Sequence, residues 1–420
     1  MIKKILTYAT GEVLVKGASF LALPLYSYLI LPSEYGTLGF LRSVTAFLPF
    51  ILTFYYLYAY VRLSVHTNET LLLSTYFYLG IFLNIFYLAS AFALYFLFVQ
   101  YYTIELHYFI MAILSSAFIY MFQILQMYYR SKGLAKSYIR LSLVYALGGL
   151  GLNFLFLFIF EDNVFAMLLS SSSITFIASL VAYTILHKKI SWSSFDFTLV
   201  REILRYSIPL IPGAIALLLF SSSDKIILAG LVTKESLGIY TFAFTVGLTM
   251  SYIGNAFFMS YQPLFYDKIA HNKHSEIINA FPKNILFLTL ALLLSYFIIS
   301  LVYFSVNQRY SSGIMLSLSI ATAYSYLSFA QMMELHLTYL NKTALVSWVY
   351  SIGGAITVIG LLTLIPMLGL KGATLALLLA GFVISVFMYI LAQKHLYLQY
   401  NIWYAVGFYL FTFISLGFIL

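Results

Sequence analysis

Read for hydropathy alone, the chain is a succession of long apolar runs separated by short polar connections. The run from Ile81 to Phe98 shows the type, with only Asn84 and Ser90 breaking it. About 20 predominantly apolar residues make one helical crossing of a bilayer. A transmembrane β-barrel would alternate polarity in segments of about ten residues, and this run does not. The pattern predicts an all-α, polytopic membrane protein with spans at 5–30, 38–62, 72–98, 107–128, 138–160, 164–187, 205–231, 237–263, 284–306, 314–338, 343–366, 371–393 and 402–420. The first run reads as a retained span rather than a signal peptide. Glu12 and Lys16 interrupt it, and apolar character then resumes to Ile30.

The spans repeat. Tyr145-Ala146-Leu147-Gly148-Gly149 in the fifth matches Tyr350-Ser351-Ile352-Gly353-Gly354 in the eleventh, and Lys136-Ser137 matches Lys342-Thr343. Glu34-Tyr35-Gly36 after the first span matches Glu235-Ser236-Leu237-Gly238 after the seventh. Six spans separate the copies, so the repeat is parallel. Paired bundles of this kind hold a transported substrate between them. The expected organisation is a six-helix lobe over 1–195, a second over 203–395 related by a parallel pseudo-twofold, and an additional helix at 402–420.

Composition agrees with the pattern. Of the 420 residues 63% are hydrophobic and 8% charged, against roughly 25% charged in a soluble domain. The net charge of +9 raises the question of nucleic acid, and its distribution answers it. With the N-terminus inside, sixteen of the 22 basic residues fall on one face, including Arg62, Arg130, Lys132, Lys189, Arg201 and Arg205. That bias orients the chain and needs no nucleic-acid partner.

Several chemistries are missing. There is no cysteine and no phosphate-cradling P-loop. The four aspartates are scattered, where a metal-dependent transferase would cluster its carboxylates. Glu161-Asp162 and the pair His271 and His274 read as solvated loop residues. An enzyme, a metal site and a cofactor are therefore not expected. Energy would come from an ion gradient, the membrane potential or the substrate gradient.

Ionisable residues inside spans are costly and tend to face cavities. Lys16 lies roughly 17 Å into the first span at ~1.5 Å per residue, with Glu12 on the same face. The two form either a buried self-neutralising pair or a moderated cationic site. Asp224 and Lys225 are adjacent in the seventh span and, by helix geometry, are expected to point apart and not to neutralise each other. Arg42 sits a turn into the second span, where it either snorkels or lines a path. Glu334 in the tenth is either interfacial or a coupling carboxylate. Lys16, Arg42 and Lys225 are thus candidate substrate-binding cations for an anionic cargo. Glu12, Asp224 and Glu334 are candidate ion-coupling groups. The tyrosines of Tyr55-Tyr56-Leu57-Tyr58-Ala59-Tyr60 suit an interfacial belt or stacking on sugar rings. Pro209 and Pro212 are expected to kink or loosen the seventh span.

The motifs Leu31-Pro32-Ser33-Glu34-Tyr35-Gly36, Pro209-Leu210-Ile211-Pro212-Gly213, Ser223-Asp224-Lys225, Leu237-Gly238-Ile239-Tyr240 and Pro366-Met367-Leu368-Gly369-Leu370-Lys371-Gly372-Ala373 stand in this order along the chain. With them the sequence, over roughly residues 1–395, resembles the lipid-linked oligosaccharide flippases of the polysaccharide transporter family, in the MATE-like superfamily. The resemblance implies a two-lobed, V-shaped, twelve-helix transporter of the bacterial inner membrane. By alternating access it would carry an undecaprenyl-diphosphate oligosaccharide to the periplasmic leaflet for O-antigen or capsule synthesis. It implies a cationic cavity, to which Lys16, Arg42 and Lys225 are carried over. The implied partners are the lipid-linked oligosaccharide, membrane lipids and other polysaccharide assembly proteins. A thirteenth span departs from the family's twelve or fourteen. Two rivals differ in what they need. A MATE-type drug exporter needs an acidic pocket, and an O-antigen polymerase needs a long outer loop.

Overall fold

The computed structural model describes residues 17, 20, 22–53, 56–64, 66–101 and 103–419, and among these all regular structure is helical. The helices are α1 (Leu23–Leu29), α2 (Pro32–Leu52), α3 (Tyr60–Leu63), α4 (Glu69–Tyr101), α5 (Leu106–Phe118), α6 (Tyr120–Ser131), α7 (Ala135–Ile159), α8 (Asn163–Leu186), α9 (Phe197–Ser207) and α10 (Ile211–Ala229). There follow α11 (Lys234–Gly247), α12 (Thr249–Ala270), α13 (His274–Ser305), α14 (Ile314–Tyr339), α15 (Thr343–Leu368), α16 (Leu370–His395) and α17 (Ile402–Ile419). Among the described residues nine helical stretches are long and apolar enough to cross a membrane, from Glu69–Phe96 to Leu370–His395. Each falls on an expected span. The fold class is all-α and polytopic, as the hydropathy pattern predicts.

The chain forms two compact units, Thr37–Ile215 and Met1–Gly36 with Ala216–Leu420. It passes from one to the other inside α2 and again inside α10. In the first unit, Tyr60, Leu72, Leu73, Tyr76, Ile124, Leu125, Leu186 and Ile203 form one buried cluster that binds α3, α4, α6, α8 and α9 together. Tyr56 and Tyr60 belong to this cluster, at 2% and 1% exposure, and Tyr56 stacks on Tyr76 at 5.8 Å. Neither is an interfacial belt residue, because both side chains are buried in this cluster.

In the second unit α14 is the central helix, buried on all sides between α11, α12, α13 and α16. Small residues permit this: Ser319, Ala321, Ala323, Ser325, Ser328 and Ala330 line it. Their hydroxyls return to the helix's own carbonyls, as Ser328 Oγ donates to Tyr324 O at 2.8 Å. Residues 22–36 are anchored in the same unit. Ser27 Oγ accepts from Asn307 N at 3.0 Å, and Tyr310 OH donates to Ile30 O at 2.9 Å. Gly36 and Gly238, from the two matched motifs, meet directly, and a Cβ on Gly238 would overlap the Pro32 carbonyl.

The fifth and eleventh spans perform matched packing. Gly148 of α7 lies against Ile174 of α8, and Gly353 of α15 against Ile384 of α16. The expected loosening at the prolines takes a definite form. α9 ends at Ser207, Pro209 sits in a 3-10 turn over Ile208–Leu210, and Pro212 occupies the first turn of α10. Proline is tolerated there because first-turn amides lack helical partners in any case.

Candidate functional site

Two apolar runs that read as single helices are each interrupted inside the first unit. α2 stops at Leu52, where Thr53 N and Oγ1 both bond the Pro49 carbonyl, at 2.9 and 2.6 Å. The chain resumes as a 3-10 turn over Tyr56–Ala59 and then α3. The second interruption is at Ile119, between α5 and α6. Here Ser179 of α8 inserts its hydroxyl into the helix ladder, donating to Phe118 O and accepting from Phe122 N. A side chain in the i to i−4 ladder is a recognised cause of a sharp kink. Broken helices at membrane depth are tolerated where they line a cavity.

A cavity of about 890 Å³ lies at these breaks, within the size range of small-molecule sites. Its wall comprises Thr45, Ala46, Pro49 and Thr53; Tyr56, Leu57, Val61 and Arg62; and Ser116, Ile119, Gln123, Gln126, Met127 and Arg130. Two arginines line it and no acid does. Both arginines are exposed, and among the described residues neither has a carboxylate within ion-pair distance. Glu69, at the start of α4, is committed elsewhere. It pairs with Lys132 at 2.5 Å and Lys189 at 2.6 Å. The Arg62 guanidinium instead stacks over the Tyr206 ring of α9, 4.4 Å from its centroid. Tyr56 contributes a buried hydroxyl with no hydrogen-bond partner among the described residues. Gln126 Nε2 reaches Ser142 Oγ at 3.1 Å. The chemistry on offer is two fork-shaped cation donors and a set of neutral donors and acceptors. Arginine forks match phosphate oxygens in pairs.

The residues singled out from the sequence do not all converge here. Lys16 and Glu12 lie outside the described residues. Arg42 is exposed on α2 and is not part of the cavity wall. It does share a helix face with Thr45, Ala46 and Pro49, three, four and seven residues on, which line it. Asp224 and Lys225 correct the expectation that they point apart. The lysine stem curls back, placing Nζ 3.0 Å from Asp224 Oδ1 and 3.2 Å from Oδ2. Tyr240 OH donates to Oδ2 at 2.8 Å, and Nζ lies 3.3 Å from the Phe244 ring centroid. The two side chains neutralise each other, buried inside the second unit. Glu334 is partly buried and accepts from Tyr350 OH at 2.7 Å. Asp162 is a structural residue, N-capping α8 through Phe165 N at 3.0 Å.

Arg62, Arg130, Gln123 and Gln126 are the site residues that the sequence reading did not select; Tyr56 belongs to the tyrosine run read as a belt or a sugar-stacking surface. One signal for them was available. Gln123, Gln126 and Arg130 recur at three and seven residues, a polar stripe on one face of an apolar run.

The fold is similar to that of solved transporters. An inward-facing conformation of a multidrug resistance MATE family transporter of the MOP superfamily superposes at TM-score 0.68 with 12% identity, covering 92% of this chain and 97% of that one. The Vibrio cholerae MATE transporter VcmN in the bent form matches at TM-score 0.58 with 14% identity, over 96% of this chain and 98% of that one. No curated protein gives a significant match. The chain therefore has the fold of these MATE transporters, built on helices long and apolar enough to cross a membrane. The profile of the polysaccharide biosynthesis protein family matches residues 1–268, and the chain belongs to that family.

Proposed function

We propose that the protein flips an undecaprenyl-diphosphate-linked oligosaccharide from the cytoplasmic to the periplasmic leaflet of a bacterial inner membrane, by alternating access between lobes 1–195 and 203–395, in O-antigen or capsule synthesis. The observation that carries this reading is the cavity with Arg62 and Arg130 and no acid. The positive-inside bias accounts for arginines near a cytoplasmic edge. It does not account for two of them lining one cavity beside glutamines and an unpartnered tyrosine hydroxyl. A diphosphate is an anion of matching charge and geometry, and hydroxyl-rich sugars suit the neutral donors and acceptors. A cationic drug would meet like charge there, which weighs against the drug-exporter reading. Arg42 extends the cationic face of α2, and Lys16 is the corresponding candidate in the first span. Lys225 is no free cation, so its substrate role falls to the two cavity arginines. Asp224, held by Lys225 and Tyr240, is set aside as a coupling group. Glu334, on its tyrosine, is the candidate among described residues, with Glu12 beside Lys16.

The test is in cells. Deleting the gene should make lipid-linked repeat units accumulate on the cytoplasmic leaflet. The wild-type gene should relieve this, and the Arg62→Ala/Arg130→Ala variant should not, at equal protein level. Relief by the double variant would remove the cavity from the transport path.

A further inference from the structure

Arg62 has one described side-chain interaction, with a ring that is not itself part of the cavity wall. Its guanidinium stacks on Tyr206, in the last turn of α9. The helix is built to hold that ring in place. Asp196 caps its N-terminus through Thr198 N at 2.7 Å. Leu199 and Ile203 bury into the core of the first unit, and Tyr206 packs on the same cluster. Arg201, Glu202 and Arg205 face outward. One residue beyond Tyr206 the helix ends, and the chain continues through Pro209 and Pro212 into α10, the helix inside which it enters the second unit. Tyr206 therefore stands between a cavity arginine and the connection to the other half of the molecule.

We propose that Tyr206 is a positioning residue, which holds the Arg62 fork toward the cavity and makes α9 respond when an anionic headgroup occupies it. The inference rests on the flippase reading of the cavity and names the element that reports its occupancy. A cation on an aromatic face is attracted by the ring quadrupole, so removal of the ring frees the guanidinium. A phosphate bonds the in-plane N–H groups of the guanidinium and leaves its face on the ring, so occupancy fixes Arg62, and with it the ring of α9. The loss of preorganisation expected on removing the ring is roughly two- to tenfold in affinity.

The experiment measures binding of farnesyl diphosphate to the purified full chain in detergent, with hydrogen exchange over 197–207 as a second readout. Tyr206→Phe keeps the ring and should bind as wild type. Tyr206→Met removes it and should bind roughly two- to tenfold more weakly, with Tyr206→Leu as a second ring-less variant. In an Arg62→Ala background Tyr206→Met should cost nothing more. Ligand should change exchange in α9 of wild type and Tyr206→Phe, and not of Tyr206→Met. Wild-type binding by both ring-less variants, with Arg62→Ala defective, would overturn the Tyr206 role and leave the headgroup reading standing. Equal losses from Tyr206→Met with and without Arg62, or a loss with Tyr206→Phe, would show that Tyr206 acts on the fold. Wild-type binding by Arg62→Ala would overturn the headgroup reading itself.

Discussion

Asp224 and Lys225 show what adjacency in a helix does and does not decide. Successive Cβ atoms diverge around the axis, so two short side chains at i and i+1 could not meet. Lysine has four methylenes, and its ammonium returns to the carboxylate of its neighbour. A fully buried pair is costly to break by halves, because the survivor is left charged and desolvated. Lys225→Met and Asp224→Asn should each destabilise the protein by about 3–5 kcal/mol. The double variant should recover much of that. Thermal unfolding of the purified protein in detergent checks the cycle, and additive losses would contradict it. The pair was legible as two charges in a span, but not as a pair. Arg62 and Arg130 were legible only as members of a basic face, because the 67 residues between them hide that they share a wall.

At the scale of elements, the sequence predicted where helices lie far better than where they break. Apolar runs announce helices by composition alone. The break at Ile119 has no proline or glycine to announce it, and its cause is a serine 60 residues further on. The break after Leu52 follows Pro49 by three residues, and Thr53 adds its hydroxyl to the last helical bond, on the Pro49 carbonyl. Ser179→Ala should let Phe122 N return to the Phe118 carbonyl and straighten α5 into α6. Ile119 lines the cavity, so transport should fall several-fold while folded protein persists. The chain has no cysteine, so a Gln123→Cys variant gives a clean check. Its labelling by a water-soluble thiol reagent should slow when Ser179→Ala is added, and unchanged labelling would show that the serine does not hold the break. α9 carries a pH dependence of known sign. The bonds from Thr198 Oγ1 and N hold the Asp196 carboxyl below the usual carboxylate range. The support it lends α9 is complete above the ordinary carboxylate pKa and is lost as pH falls through the lowered one. Exchange in 197–207 should rise only on strong acidification.

For the whole molecule, the hydropathy pattern predicted an all-α chain of successive spans, and the matched glycines of α7 and α15 each pack against an isoleucine of the helix that follows. The cavity was not legible, because it depends on two helix breaks and on residues from two distant stretches of sequence, 45–62 and 116–130, brought together by folding. The central proposal is that this protein moves an anionic lipid-linked sugar rather than a cationic small molecule. The most direct measurement reconstitutes the protein in liposomes containing a fluorescent undecaprenyl-diphosphate sugar and follows its passage between leaflets. Wild-type protein should speed that passage, Arg62→Ala/Arg130→Ala should abolish the acceleration, and an uncharged polyprenyl-linked sugar should move no faster than in empty liposomes. Acceleration by the double variant equal to wild type, or export of a cationic dye with no effect on the lipid, would contradict the account.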